Sequence, residues 1–139
     1  MKVKDIMTKN VAYIRPDSTV SDAAKLMQQY DVGAIPVCDN NGVVGLVTDR
    51  DIVLRNVVVG TDPRTTPVSN IMTTNVSTVS PDTDVSMLSD IMAKKQIRRV
   101  PVVDNNTLVG IVSLGDLAVD NRFDMEASEA LTDISKPVK

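Results

Sequence analysis

From Val20 to Tyr30 the apolar side chains fall at Val20, Ala23, Ala24, Met27 and Tyr30, the spacing that gathers them on one face of a helix. Thr19 and, one repeat later, Asp84 carry the acceptors that satisfy free amides at a helix start and are the expected N-caps. A short extended run at residues 11–14 precedes this helix and ends in Pro16-Asp17, a turn-forming pair. After the helix the pattern shifts to short apolar runs at 34–38 and 43–47, which predict strands. Pro36, close to the opening of the first run, suits a strand start or an edge. Between the runs, Asp39-Asn40-Asn41-Gly42 is a hairpin signal, and a second helix is expected from about Asp49.

The pattern then recurs. Residues 68–117 align with 3–52 at a constant offset of 65 without a gap, and twenty of the fifty positions are identical; average usage would give about three. Mismatches keep their character, as in Ile35/Val100, Leu46/Ile111, Thr48/Ser113 and Ile52/Leu117. The second copy therefore predicts an extended run at 76–79, strands at 99–103 and 108–112, and a helix from about Leu114, with Thr107 weakening its hairpin signal. One copy, about fifty residues, is too small to close a good core alone. The expected fold class is α+β, two β-α-β-β-α repeats packed against each other with pseudo-twofold symmetry. The boundaries read as repeat 1 at 1–58, a linker at 59–67, repeat 2 at 68–120, and a polar tail at 121–139 with at most a short helix across 125–131.

Composition narrows the chemistry. Apolar residues make up 42% and charged residues 24% of the 139, ordinary globular usage. With no Trp, two Tyr and one Phe, the core must be aliphatic and the chain lacks base-stacking platforms. A net charge of -3 argues against nucleic acid as the main partner. Within one chain, no His and a single Cys exclude zinc sites, Ser-His-Asp triads, Cys-His pairs and internal disulfides. The opening residues lack a signal-peptide core and no apolar run approaches a membrane span, so a cytoplasmic protein without a membrane partner is expected. Cys38 reads as a small buried hydrophobe and the methionines as core. Asp39 serves the hairpin turn, so no metal site is expected.

Three motifs occur twice: Asp5-Ile6-Met7-Thr8 and Asn70-Ile71-Met72-Thr73; residues 33–39 and 98–104; and residues 44–52 and 109–117. Together they resemble the opening, central and closing motifs of cystathionine-beta-synthase (CBS) domains. The resemblance covers about residues 3–120 and is to stand-alone two-CBS modules, with no attached catalytic domain. It implies a regulatory sensor, not an enzyme, that binds an adenosine-containing ligand (AMP, ADP or ATP) in a cleft between the repeats. A polyphosphate would bring Mg²⁺ with it; no other cofactor is required. The alternative is a ligand-free interaction or dimerisation module. Disc-like dimers in the family imply a homodimer, and a regulated partner protein is left open.

Thr48-x-x-Asp51 and Ser113-x-x-Asp116 admit two readings. Hydroxyl and acid three residues apart make a capping box. Equally, a helix start can meet a phosphate, while a carboxylate can accept two hydrogen bonds from a ribose cis-diol. The resemblance makes Asp116 and Asp51 the ribose residues. Arg50, Arg98 and Arg99 are candidate phosphate ligands with Ser113 and Thr48, because guanidinium forks match phosphate oxygens; Lys94, Lys95, Arg98 and Arg99 also read as a solvated basic face. By resemblance each pocket is a hybrid. The Asp116 pocket would take its adenine slot from Thr8, Ala12, Val32, Ala34 and Pro36. The Asp51 pocket would take it from Thr73, Ser77, Ile97, Arg99 and Pro101. The small Gly33-Ala34 pair favours the first, whereas Arg99 crowds the second. Finally, the second helices, 52–58 and 117–119, and above all Val57-Val58-Val59, are apolar enough to expect a covering surface.

Overall fold

The structure, a computed structural model, describes residues 1–119 and 124–135. Its elements are α1 (Val20–Tyr30), β1 (Ala34–Asp39), β2 (Gly42–Thr48), α2 (Asp49–Ile52), α3 (Val85–Lys95), β3 (Arg99–Asp104), β4 (Thr107–Ser113), α4 (Leu114–Val119) and α5 (Asp124–Ile134). Short 3-10 turns stand at Val3–Asp5 and Val68–Asn70, and α2 runs on into a π-helical turn, Val53–Val57. This is the mixed helix-and-strand architecture expected, each repeat holding a small antiparallel sheet. Among the described residues no helix is long and apolar enough to cross a membrane.

The compact units do not follow the order of the repeats. One consists of Ala12–Val76; the other joins Met1–Val11 to the chain from Ser77 onward. The opening segment of each repeat thus packs into the unit built mainly from the other repeat. In the first unit, Ile14 bridges to Val37 in parallel, β1 pairs with β2, and Thr73 bridges to Leu46. Val68 and Ile71 complete a core of Ile14, Val20, Ala23, Met27, Ile35, Val37 and Val47. Stretch 59–67 also contributes here: the otherwise unpaired amides of Val20 and Ser21, at the start of α1, donate to the carbonyls of Thr66 and Pro63.

The second unit repeats this plan with Val79 bridging Val102, β3 paired with β4, and Thr8 bridging Ile111. Its core contains Val3 from the chain's opening segment, together with Val79, Val85, Leu88, Met92, Val100, Val102, Val112, Leu117 and Ala130. Backbone hydrogen bonds from Val3 to Thr83, Lys4 to Pro81 and Val85 to Met1 tie the segment down.

Two local expectations need correcting. Thr19 does cap α1, its hydroxyl accepting from the Asp22 amide while Asp22 accepts in return. Asp84 makes no side-chain cap on α3; its carboxylate lies 3.8 Å from the Lys2 ammonium instead. The second hairpin forms as expected despite its weaker Thr107 signal: Asn105 and Asn106 both take left-handed φ values, 50° and 64°, as a tight two-residue turn demands. At the C-terminal end α5 is longer than the expected short helix. Ala130 is fully buried, α5 packs on α3 and α4, and the Gln96 side-chain amide donates to the carbonyl of Asp133. The rest of the expected tail, 121–123 and 136–139, lies outside the described residues.

Two glycines let the opening segments lie flat on the sheets. A methyl group placed on Gly45 would sit 2.5 Å from the Met72 sulfur, and one on Gly110 would sit 2.7 Å from the Met7 sulfur and 2.9 Å from the Thr8 carbonyl oxygen.

Candidate functional site

Both hydroxyl–acid pairs form reciprocal caps at the strand-to-helix turn. The Thr48 amide donates to Asp51 Oδ2 (3.0 Å) and the Asp51 amide to Thr48 Oγ1 (3.1 Å). The Ser113 amide donates to Asp116 Oδ2 (2.8 Å) and the Asp116 amide to Ser113 Oγ (3.2 Å). Capping consumes one carboxylate oxygen and leaves the other, so it is compatible with a second task.

The two carboxylates then diverge. Asp51 is buried, and the Thr73 hydroxyl lies 3.3 Å from each of its oxygens. Arg55, one helical turn on, brings its Nε to 4.0 Å from Asp51 Oδ1 and donates from Nη1 to the carbonyls of Ile71 and Met72, each at 3.3 Å. Asp116 is half-buried, and among the described residues its Oδ1 meets no donor. By the repeat offset Thr8 corresponds to Thr73, yet its side chain makes no described bond to Asp116. The position equivalent to Arg55 is Asp120, which lies outside the described residues.

The helix starts differ as well. At α2 the Asp49 amide donates to the Gly33 carbonyl and the Arg50 amide to the Asp49 carboxylate (2.9 Å). An anion there would have to displace a fixed negative charge. At α4 the Leu114 amide donates to the Arg98 carbonyl (2.8 Å), which anchors Arg98 beside this turn, and Leu114 brings no charge. Arg98 is exposed and Arg99 half-buried at the first position of β3. Arg50 is exposed and lines an open depression with Asp49, Val53 and Leu54, a lining that includes neither Thr48 nor Asp51.

Of the expected adenine-slot residues, Ala12, Val32, Ala34, Pro36 and Thr73 belong to the first unit, and Thr8, Ser77, Ile97 and Pro101 to the second. Ala34, Pro36 and Pro101 are buried; Ala12, Ser77 and Ile97 are half-buried; Thr8, Val32 and Thr73 are exposed. Arg55 is the contact that sequence reasoning passed over, although Asp51 and Arg55 stand at the i,i+4 spacing of a helical ion pair. Asn56 was also missed. It is buried in the π-helical turn, donates from Nδ2 to Thr61 Oγ1 (2.7 Å), and leaves its Oδ1 without a partner. Cys38 is half-buried in β1, and burial, with Asp39 adding to it, pushes its thiol pKa up, away from reactivity.

Residues 3–56 and 68–119 match the model of the CBS domain. The chain belongs to the CBS-domain family. It is 49% identical over 133 residues to the CBS domain-containing protein YhcV of Bacillus subtilis, covering 96% of this chain and 94% of that one. Among solved structures it is similar to Hypoxic Response Protein I with two coordinated zinc ions (33% identity, TM-score 0.78, covering 86% of this chain and 98% of that one). It is also similar to a hexameric CBS-CP12 protein from bloom-forming cyanobacteria (34% identity, TM-score 0.79, covering 90% and 73%). The zinc belongs to that neighbour. In this chain, without His, no three acidic or Cys side chains among the described residues gather closely enough to hold a metal ion.

Proposed function

We propose that this CBS pair is a regulatory sensor for an adenosine-containing ligand, AMP, ADP or ATP, and that Asp116 holds the ribose. The observation that supports the reading is that Asp116 spends Oδ2 on its own helix cap while its Oδ1 meets no donor among the described residues. A carboxylate fixed by its own helix cap, with one oxygen that no described residue engages, is placed to accept charge-assisted hydrogen bonds from a cis-diol without reorganising. Ser113 and the guanidinium groups of Arg98 and Arg99 supply donors for phosphate. Asp51, with Thr48 and Arg50, is the subordinate site.

A titration with AMP, ADP, ATP, NAD and S-adenosylmethionine tests the reading, followed by the same titration of Asp116→Asn. The Asn side chain keeps shape and some capping but loses the charged acceptor. Affinity should fall by about 1.5–3 kcal/mol, roughly ten- to a hundredfold. If Asp116→Asn lowers stability slightly and leaves affinity intact, the residue is a helix cap and nothing more.

A second reading has its own observation. Val53, Leu54, Val57, Val58 and Val59 are all exposed, the last three at 65%, 70% and 66%. An apolar run of this kind is unusual on a chain that works alone, and the hexameric CBS-CP12 neighbour is consistent with self-association. We infer that this face contacts a second copy of the chain. Val57→Lys with Val58→Lys should turn a homodimer into a monomer in light scattering at micromolar concentration; a wild-type monomer, with and without nucleotide, would dispose of the idea. If no adenine compound binds, assembly through this face becomes the leading function.

A further inference from the structure

The two carboxylates are chemically alike but not equally available. Resting on the nucleotide-sensor reading, we propose that Arg55 and Thr73 latch Asp51, so that ribose is accepted at Asp116 first and at Asp51 only after the latch is displaced. The Thr73 hydroxyl lies 3.3 Å from both oxygens of Asp51, the same acceptors that a ribose diol would use. Arg55 ties into the same assembly, with Nε 4.0 Å from Asp51 Oδ1 and Nη1 on two successive carbonyls, Ile71 and Met72, just before Thr73. Segment 71–73 is held further by the paired backbone bonds between Thr73 and Leu46, 2.9 and 3.0 Å. The other unit has the same backbone pair, Thr8 with Ile111, but no such contacts on Asp116 among the described residues. A diol arriving at Asp51 therefore exchanges existing hydrogen bonds for new ones, whereas at Asp116 it bonds an oxygen that no described residue holds. Arg55 is a positioning residue in this scheme, and its effect is to stagger the occupancy of two sites on one chain.

The test uses the full chain and amide NMR. In the wild type, adding AMP should saturate the shifts of Ser113–Asp116 amides at lower concentration than those of Thr48–Asp51. Arg55→Met keeps the aliphatic stem without the donors. It should narrow that gap about three- to tenfold by tightening the Asp51 side, leaving the Asp116 side unchanged; adenosine, which lacks phosphate, should respond in the same direction. Weaker AMP binding at Asp51 with adenosine unaffected would make Arg55 a phosphate ligand and overturn the latch. An unchanged gap would overturn it too. Hydrogen exchange without any nucleotide supplies an independent arm. Arg55→Met, or Asp51→Asn should that variant fold poorly, should speed exchange at Thr73 and Leu46 several-fold and spare Thr8 and Ile111. Unaltered protection there rejects the latch. Altered protection together with no response to either compound rejects the nucleotide reading and the filling order with it.

Discussion

Deleting residues 1–9 should unfold the unit built from Ser77 onward while leaving Ala12–Val76 folded. Val3 is fully buried in the second unit's core, Ile6 and Met7 pack against it, and Met7 fills the space above Gly110. Fully burying one such side chain contributes about 1.5–3 kcal/mol, so one buried and two half-buried side chains account for roughly 3–6 kcal/mol before the backbone bonds to Thr83, Pro81 and Ile111 are considered. That approaches the whole stability of a small domain, about 5–15 kcal/mol. Hydrogen exchange separates the outcomes: Val100, Val102 and Val112 should lose protection while Ile35, Val37 and Val47 retain it. Equal loss in both sets, or none, would contradict the exchanged arrangement of opening segments.

Gly110→Ala should be the costliest single-methyl change in the chain, together with Gly45→Ala. The added carbon at 110 would meet the Thr8 carbonyl oxygen at 2.9 Å as well as the Met7 sulfur. A thioether can swing away, but a carbonyl held by the Ile111 amide cannot move without breaking the bridge. Overpacking of this kind costs about 1–3 kcal/mol, and the backbone clash puts Gly110 at the upper end. Gly115→Ala is the matched control. Its methyl would come no closer than 3.5 Å to the Ser113 hydroxyl in α4, and a helical Gly to Ala change gains up to about 1 kcal/mol. Urea unfolding should therefore move in opposite directions for two Gly to Ala changes five residues apart. A Gly110→Ala protein as stable as the wild type would mean that the opening segment does not press on β4.

Much of the local structure could be read from residue order because it is decided within a few residues. The 3.6-residue spacing of Val20, Ala23 and Met27 makes α1, the capping box of Thr19 and Asp22 starts it, and Asn105-Asn106 turns β3 into β4. Partner choice is not local. Duplication shows that Val3 and Val68 are equivalent, but two equivalent segments can each pack on their own repeat or on the other one, and residue order is the same either way. Asp84 looked like a cap because Asp is a good acceptor, and the nearby Lys2 ammonium, brought by the exchanged segment, lies outside any local window. The candidate site shows the same division. Both hydroxyl–acid pairs were visible as capping boxes, and they are that. The difference between their carboxylates rests on Thr73, which is 22 residues from Asp51, and on Arg55, whose helical spacing to Asp51 was available but whose carbonyl partners were not.

The exchange of opening segments also sets an order of events during synthesis. Everything the Ala12–Val76 unit requires is contiguous, so it can close as soon as its last strand-bridging residue, Thr73, has left the ribosome. The other unit cannot. Met1–Val11 emerges ahead of Ala12–Val76 yet has no core to enter until β4 has been made, more than ninety residues later, since Thr8 pairs with Ile111. For that interval an apolar segment containing Val3, Ile6 and Met7 waits in solvent, and the loop eventually closed spans Thr8 to Ile111. Long-range closure of this sort slows folding and lengthens exposure to wrong partners. The nascent chain should therefore pass through a half-folded stage in which Met1–Val11 is still waiting to find its place.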